Sequence, residues 1–393
     1  MTAVRLGRVA RLVTDRADKQ EFRLGLEGIQ GFTGRLRPGV MGDYDGDGLA
    51  FRPGDVLFGK LRPYLSKSWV ADRQGAAVGD FHVYRPSPAL TSRYLGYVLL
   101  GRSFLDPVTA SVAGAKMPRT NWEFVRNVEI FLPPPAEQVA IADYLDRETA
   151  QIDALIAKQE QLIKTSGERR AAVVDAAFLS GDQMVPTRVR HLLATRPSYS
   201  VLVPSYVDDS DAVPFVRVGD LGHLDEGLTL PMIPPAQSAE FARTRLRGGE
   251  LLLGVVGNMG KCAIAPMWLA GANVARAVAV LRCRPDVQPL LLARWFGTRH
   301  FLDQARLSVG SDTAQPTLGM KDLAGFALCW PDDASAEARV AGHLDEQTAK
   351  VDALIGKAEQ FIDLAKERRS ALITAAVTGQ IDLSTTTSVG EDV

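Results

Sequence analysis

The sequence predicts a mixed α+β protein in which two globular domains are separated by two long helices that form an antiparallel coiled coil. Ile141–Ser180 matches Val340–Gly379 at 19 of 40 positions without a gap. Both copies carry apolar residues at the three- and four-residue spacing of a helix. The segments before each copy contain short apolar runs between turns rich in Gly and Pro, which is typical of strands. The chain is therefore predicted to be an internal repeat with pseudo-twofold symmetry.

The composition is that of an ordinary globular protein with two or three cores. The chain has 393 residues, of which 46% are apolar and 23% charged. The N-terminus has no apolar run typical of a signal peptide, and no stretch has the length and hydropathy of a membrane-spanning helix. Cys262, Cys283 and Cys329 form no CxxC pair, which favours a reducing, cytoplasmic location.

Charge is divided unevenly among the predicted domains. The first globe, residues 1–135, has a net charge of +6, and the second globe, residues 184–331, has +3. The long helices, residues 136–183 and 332–383, carry −4 each, and a flexible tail, residues 384–393, carries −2. The net charge of −1 conceals this pattern. A polyanion would be attracted to the globes and repelled by the helices.

The ends of the two long helices are marked by helix-breaking residues. The prolines of "LPPPAEQ", Leu132–Gln138, are expected to end a strand and start the first helix, and Gly181 and Gly379 to end the two helices. The 36 residues from Leu145 to Ser180 would form about 50 Å of helix. A helix that long cannot bury its narrow apolar face within one small globe. We expect the two copies to pack against each other through Leu145, Ile152, Leu155, Leu162, Leu344, Val351, Leu354 and Phe361.

The two globes share only a few short patterns. Gly54-Asp55 aligns with Gly249-Glu250, and Gly59 aligns with Gly254, each pattern combining a turn, an acidic residue and an apolar strand. Elsewhere the two sequences diverge. Similar helices and dissimilar globes indicate a common scaffold that carries two different specificities.

Motifs that could bind a metal or a nucleotide are incomplete. Asp43–Gly48 begins like a calcium loop, but Gly54 stands where a bidentate Glu is needed, so an acidic turn is favoured. Gly254–Cys262 resembles a phosphate loop but lacks its first Gly and its Ser or Thr, so a polar loop is favoured. The five histidines show no metal-ligand spacing, and no hydrolase, nuclease or methyltransferase motif is present. The sequence predicts no metal site and no active site.

The duplicated segment resembles the specificity subunits of type I restriction–modification systems. The resemblance covers the whole chain in architecture, although the second copy departs from the pattern at its start, where Glu337-Ala338 and a single Pro331 replace the first copy's Glu-Gln pair and prolines. The residues that carry the resemblance in the first copy are Pro133, Glu137, Gln138, Ile141, Leu145, Asp146, Thr149–Ile156 and Glu168–Arg170.

The resemblance implies a non-catalytic DNA-binding subunit of a phage-defence system. Each globe would be a target-recognition domain that reads half of a bipartite, asymmetric site, and the coiled coil would set the spacing. Two methyltransferase subunits would dock on the helices and methylate adenine N6 with S-adenosylmethionine. Two restriction subunits would translocate and cleave DNA with ATP and Mg. The alternative is a coiled-coil adaptor that joins two protein-binding domains and does not bind DNA.

Candidate DNA-contacting residues are basic or amide side chains near predicted loops. Arg and Lys would bind phosphates, and Arg and Asn could read base edges in the major groove, although each could also be an ordinary surface residue. The candidates in the first globe are Arg35, Arg37, Lys60, Arg62, Lys67, Lys116 and Arg119. Those in the second globe are Arg217, Arg243, Arg245, Arg247, Asn258, Lys261 and Arg276.

A triplet of charged residues recurs in both helices. Arg forms planar, bidentate ion pairs, so the triplets could contact a partner subunit, or they could simply be solvated charges on the helix exterior. The partner-interface candidates are Glu168, Arg169, Arg170, Glu367, Arg368 and Arg369.

Overall fold

The chain divides into two compact units, each of which combines a globe with parts of both long helices. The first unit is Met1–Gln161 with Ala358–Val393, and the second is Leu162–Lys357. The computed structural model describes residues 3–17, 22–39, 47–112, 117–179, 183–200, 202–224, 228–257, 259–309 and 317–381.

The first unit places small sheets beside a group of helices. One sheet has the strand order β2-β11-β8-β9, a second has β3-β7-β10-β4, and β1-β12 and β5-β6 form separate pairs. The strands are β1 Ala3–Arg5, β2 Ala10–Leu12, β3 Arg16–Ala17, β4 Arg23–Leu24, β5 Ile29–Gln30, β6 Arg35–Leu36, β7 Gly48–Phe51, β8 Val56–Gly59, β9 Ser68–Val70, β10 Gly75–Val78, β11 Phe81–Pro86 and β12 Glu129–Phe131. The helices are α1 Ser92–Leu100, α2 Arg102–Ala110, α3 Trp122–Val125 and the start of α4 Pro135–Leu179.

The second unit repeats the main sheet and the terminal strand pair. Its sheets have the orders β14-β20-β17-β18, β16-β15-β19 and β13-β21. The strands are β13 Met184–Arg188, β14 Ser198–Tyr199, β15 Val213–Val216, β16 Met232–Ile233, β17 Leu251–Gly254, β18 Cys262–Ile264, β19 Asn273–Val274, β20 Val278–Leu281 and β21 Ala327–Pro331. The helices are α5 Val189–Leu192, α6 Pro235–Glu240, α7 Pro289–Trp295, α8 Arg299–Val309, α9 Met320–Gly325 and α10 Ala334–Val377.

The turn predicted to be shared by the globes has the same hydrogen bonds in both. Gly54 and Gly249 adopt φ of +88° and +85°, a region that favours glycine. In the first globe Asp55 Oδ2 accepts from the Arg52 amide, and in the second Glu250 Oε1 accepts from the Arg247 amide. Each acid directly precedes a buried strand, β8 or β17. The two globes therefore share the turn that the short Gly-acid pattern predicted, although the rest of their sequences diverge.

Within each unit the two long helices run antiparallel. In the first unit Asp153 of α4 pairs with Arg369 of α10 at 2.9 Å, and Leu145 lies in one core with Val377. In the second unit Arg170 pairs with Asp352 at 2.8 Å. There Phe178 and Leu344 share a core. The antiparallel pairing confirms the predicted fold class.

The buried face of these helices differs in part from the predicted seam. Leu145, Ile152 and Leu344 are buried, and Leu162 and Val351 are half-buried. Three predicted seam residues are instead 40–45% exposed, and nearby helix positions are buried in their place. A straight helix drifts about 20° per heptad from a 3.5-residue repeat, so a stripe chosen at fixed spacing leaves the buried face. The exposed residues are Leu155, Leu354 and Phe361, and the buried ones are Ala358, Ile362 and Ala365.

The first long helix starts at its predicted prolines, whereas the second starts at a cap that the sequence analysis did not identify. In the first, β12 ends at Phe131 and α4 begins at Pro135. In the second, Asp333 caps α10 by accepting from the Ala336 amide at 2.7 Å, which provides the start that the prolines provide in the first copy. Helix α10 ends at Val377, with Gly379 at φ 73° beyond it, whereas Gly181 lies outside the described residues.

Neither a membrane span nor a metal site is found among the described residues. None of the helices in this part of the chain is both long and apolar enough to cross a membrane. The same residues contain no cluster of three His, Cys, Asp or Glu side chains that could hold a metal ion. Of the calcium-like segment Asp43–Gly48, only Asp47 and Gly48 are described, and Gly48 begins β7.

Candidate nucleic-acid interface

Two basic candidates of the first globe pair with one carboxylate, and the backbone of a third lies next to them. Asp80 pairs with Lys60 at 3.8 Å and with Arg119 at 3.0 Å. The Arg62 amide donates to the Pro118 carbonyl at 2.8 Å, which brings the exposed Arg62 side chain into the same region. Two cations on one carboxylate, with the exposed Arg62 beside them, leave a positive surface that could bind phosphates.

The loop that follows Lys60 has a backbone conformation rare for L-residues. Arg62 and Ser66 both have positive φ, 50° and 47°. Between them Tyr64 and Leu65 are 46% and 37% exposed. Tyr64 was not among the predicted DNA-contacting residues, although in "RPYLSK" two basic residues flank an aromatic one. Exposed aromatic rings beside cations are suited to contacts with nucleic acid bases.

The other candidates of the first globe have different surroundings. Arg35 pairs with Asp153 at 3.3 Å, and Arg37 is exposed. Lys67 is half-buried and donates to the Leu26 carbonyl at 2.7 Å. Burial, followed by the positive charge of Arg37, lowers the pKa of Lys67. Lys67 therefore stabilises a contact within the globe and is not only a surface cation. Lys116 lies outside the described residues.

The second globe uses a lysine in the same way. Lys261 donates to the Gly219 carbonyl at 3.0 Å, and Gly219 lies in a short 3₁₀ turn, as Leu26 does in the first globe. Lys261 precedes β18 directly, and Lys67 precedes β9 directly. Both lysines thus connect the end of a hairpin loop to a neighbouring turn.

The remaining candidates of the second globe are exposed arginines. Arg217 forms a bidentate pair with Asp220, with N–O distances of 3.1 and 3.0 Å. Arg245 donates to the Gly271 carbonyl at 3.2 Å. Three exposed arginines form no ion pair with an acidic side chain in the described part of the chain, so they are the more available to bind an anion. These arginines are Arg243, Arg247 and Arg276. Asn258 lies outside the described residues.

Each globe is attached to the long helices through equivalent positions of the repeat. Arg93 of α1 pairs with Asp146, and Arg294 of α7 pairs with Asp345, which is the repeat equivalent of Asp146. Asp146 also accepts from the Tyr97 hydroxyl at 2.5 Å. The Leu-Asp step of the duplicated motif therefore positions a globe helix in both units.

A second attachment caps the next helix of each globe. The Arg102 amide at the start of α2 donates to Thr374 Oγ1 at 3.0 Å. The Arg299 amide at the start of α8 donates to Asp175 Oδ1 at 2.9 Å, and Asp175 is the repeat equivalent of Thr374. Oxygen atoms of this kind satisfy free amides at helix N-termini. No sequence pattern indicated that these caps come from a distant helix.

The Glu-Arg-Arg triplets do not share one environment. Five of the six candidates are exposed, and Arg170 pairs with Asp352. Arg369 is only 6% exposed, and its guanidinium points inward. The expectation that Arg369 contacts a partner subunit is therefore corrected, because its donors are used within the first unit. The exposed candidates are Glu168, Arg169, Arg170, Glu367 and Arg368.

One buried histidine near the basic cluster makes stability depend on pH. His82 of β11 lies 2.9 Å from the Tyr84 hydroxyl, and burial followed by the charge of Lys60 lowers the pKa of His82 to about 4. The folded state therefore takes up its proton only near pH 4, whereas the unfolded chain does so near pH 6.5. Stability should fall as pH decreases through this window, by about 2 kcal/mol at pH 5.

This pH effect can be measured by comparing thermal midpoints at pH 7 and pH 5. The variant His82→Asn keeps a polar group near Nδ1 but does not titrate, so we expect its midpoint to fall less than that of the wild type. Equal decreases in the two proteins would contradict the assignment to His82.

The fold and the repeated attachments define a protein that carries two different globes, each joined to the same positions of a duplicated helix. Residues 61–165 match the family described as Type I restriction modification DNA specificity domain. The chain is 25% identical over 322 residues to the Type I restriction enzyme EcoBI specificity subunit of Escherichia coli. That alignment covers 68% of this chain and 66% of the relative, slightly less than two thirds of its length.

Solved structures have the same fold along nearly the whole chain. A chain from a structural study of complex assembly and conformational transition of the type I R-M system matches with a TM-score of 0.74 at 20% identity, covering 97% of this chain and 98% of that one. The crystal structure of the HsdS subunit from Thermoanaerobacter tengcongensis matches with a TM-score of 0.52 at 20% identity, covering 97% of each chain. The family match and the curated relative therefore show that this chain is similar to the specificity subunits of type I restriction–modification systems.

Proposed function

We propose that this chain recognises DNA for a type I restriction–modification complex and has no active site of its own. Each globe reads one half of a bipartite site. The observation that carries the proposal is the pair of equivalent attachments, Arg93–Asp146 and Arg294–Asp345, which join globes of different sequence to one duplicated motif. Different loops on a common scaffold are what an asymmetric site requires.

The basic surfaces support DNA as the ligand. In the first globe Lys60, Arg62 and Arg119 lie near one another beside exposed Tyr64. In the second, Arg243, Arg247 and Arg276 are exposed. Guanidinium and ammonium groups bind phosphates and position a protein on the duplex, while a smaller number of side chains read base edges.

The long helices provide the spacer and the docking surface in this proposal. Helix α4 has 45 residues and α10 has 44. A helix of that length is about 67 Å long, or roughly twenty base pairs, so its length can set the gap between two half-sites. Two methyltransferase subunits dock on the repeated faces, where the exposed triplet residues are available. S-adenosylmethionine, ATP and Mg act on the methyltransferase and restriction subunits.

Mapping N6-methyladenine across the genome with and without this chain tests the proposal. We expect a bipartite methylated motif that disappears when the chain is removed. Exchanging residues 184–331 for the second globe of another specificity subunit should change one half of the motif and leave the other half unchanged. Unchanged methylation after the exchange would contradict DNA reading by the globes. Retained complex assembly without any DNA binding would instead support the adaptor alternative.

A further inference from the structure

The buried side chain of Arg369 connects helix α10 to a loop of the first globe. Its Nη1 donates to the Phe32 carbonyl at 2.5 Å and its Nη2 to the Thr33 carbonyl at 3.3 Å. Its Nε donates to Asp153 at 2.9 Å. Phe32 and Thr33 form the tip of the hairpin between β5 and β6. One guanidinium thus joins both long helices to this hairpin tip.

The hairpin tip borders two open spaces and is held mainly by polar contacts. Phe32 has a φ of 65°, which is unfavourable for a non-glycine residue, and its side chain is 53% exposed. A cavity of about 310 Å³ borders the tip and is also lined by Gly34 and Tyr97. A second cavity of about 860 Å³ borders it as well and is also lined by Tyr64 and Ile373. Because these spaces are open, polar contacts hold the tip, and strained conformations persist only where such contacts maintain them.

The tip in turn supports the loop that carries Arg62 and Tyr64. The Phe32 amide donates to the Ser66 carbonyl at 2.8 Å. A methyl group at Gly31 would lie 2.5 Å from the Leu65 carbonyl oxygen, so the hairpin and the loop are in tight contact. Arg35, on the same hairpin, pairs with Asp153, the carboxylate that Arg369 also binds. Contacts therefore continue from α10 to the basic and aromatic side chains of this surface.

The repeat-equivalent arginine lacks this role. Arg170 occupies the position of Arg369 in the other copy and binds Asp352, the equivalent of Asp153. Its side chain is 46% exposed, compared with 7% for that of Arg369. In the part of the chain that the structure describes, no globe carbonyl accepts from the Arg170 guanidinium. The ion pair is thus duplicated, whereas the contact with a hairpin tip is specific to the first globe.

We propose that Arg369 is a positioning residue for the recognition surface of the first globe. It holds the Phe32–Thr33 tip, and through the tip the Arg62–Ser66 loop, at a defined place on the long helices. The inference rests on the proposed function for its effect on DNA, whereas the effect on the tip itself requires no DNA. Loss of Arg369 should weaken base discrimination in one half-site and leave the other half-site unaffected.

Amide hydrogen exchange of the full chain tests the positioning step alone. In Arg369→Ala we expect exchange to accelerate at the Phe32 and Arg37 amides, which are protected by the Ser66 and Gly28 carbonyls. Lys366→Ala, which removes a positive charge from an exposed site one turn earlier on the same helix, should leave these amides unchanged. Arg170→Ala should also leave them unchanged. Unaltered exchange in Arg369→Ala would overturn the inference, whatever the protein binds.

Binding of the complex with its methyltransferase subunits to DNA duplexes tests the consequence. Duplexes with one substituted base pair in either half-site measure discrimination. For Arg369→Ala we expect roughly ten-fold weaker discrimination in the half-site of the first globe, and no change in the other. Arg369→Lys should restore little, because one ammonium cannot reproduce the planar fork. Equal losses in both half-sites would indicate general destabilisation and overturn the inference.

The two tests separate the inference from the proposed function. Faster exchange at the tip with no sequence-selective binding by the wild-type complex would support the positioning role and contradict DNA recognition. Selective binding by the wild type with unchanged discrimination in Arg369→Ala would support DNA recognition and contradict positioning of the reading surface.

Discussion

Arg85→Met should destabilise the first globe by about 3–5 kcal/mol, because it leaves a buried carboxylate without its partner. Asp55 is 1% exposed and receives two hydrogen bonds of 2.6 Å from the Arg85 guanidinium. Asp55 also accepts from the Arg52 amide at the turn that starts β8. The variant would thus disturb both the ion pair and the turn that begins the central strand.

Thermal unfolding and hydrogen exchange in β8 measure this effect. Arg73→Met is the matched control, because Arg73 pairs with Asp72 at 2.6 Å on the exposed surface, where ion pairs contribute little. We expect no measurable change in the midpoint of the control. The double variant Asp55→Asn with Arg85→Met should recover much of the loss, since Asn is neutral and still accepts from Arg52. A single variant as stable as the wild type would exclude a structural role for the pair.

Gln138→Glu should cost a similar amount, about 3–5 kcal/mol, by placing a carboxylate where two donors are needed. Gln138 is fully buried, and its Nε2 donates to the carbonyls of Ala89 and Pro133 at 2.8 Å each. Its Oε1 accepts from the Thr91 amide at 2.7 Å. A carboxylate oxygen in the place of Nε2 would face two carbonyl oxygens without a proton between them.

The reciprocal change in the second copy should cost less. Glu337 is the repeat equivalent of Gln138 and accepts from the Gln288 amide and from Trp330 Nε1. Glu337→Gln keeps one acceptor but turns an amide group toward the indole N–H, which we expect to cost about 1–3 kcal/mol. Exposed Glu137→Gln is the control and should be neutral. A smaller decrease in the thermal midpoint for Gln138→Glu than for Glu337→Gln would contradict this account.

Gln138 and Glu337 occupy the same position of the repeat, at the helix start where the sequences of the two copies differ. The second copy lacks the Glu-Gln step of the first, yet its helix starts at the equivalent place because Asp333 caps it. In both copies one oxygen of this buried side chain accepts from a globe amide, that of Thr91 or of Gln288. The other terminal atom is a donor to the Ala89 and Pro133 carbonyls in Gln138 and an acceptor from Trp330 in Glu337. A polar group at this position therefore connects the helix start to the globe in both units, and only its second contact differs.

The sequence predicted the long helices, their antiparallel pairing and the shared Gly-acid turn, because these depend on local spacing and on a repeat. Helical periodicity reports which face is apolar, and Pro, Asp and Gly report where a helix starts or stops. Periodicity does not report what covers each part of the face. Leu155, Leu354 and Phe361 were therefore selected for the seam although they are exposed.

The roles of individual cations were decided only by the tertiary structure. Lys67 and Arg369 were each chosen from charge and position, yet Lys67 braces a turn and Arg369 is buried against carbonyls from the other end of the chain. The groups that pair with a charged side chain can lie several hundred residues away along the chain, and no local pattern encodes them. Local sequence thus determined the helical frame, because the positions and the apolar faces of the helices follow from spacing along the chain. Only the fold determined which cations remain free for a partner, because burial and pairing depend on contacts between distant segments.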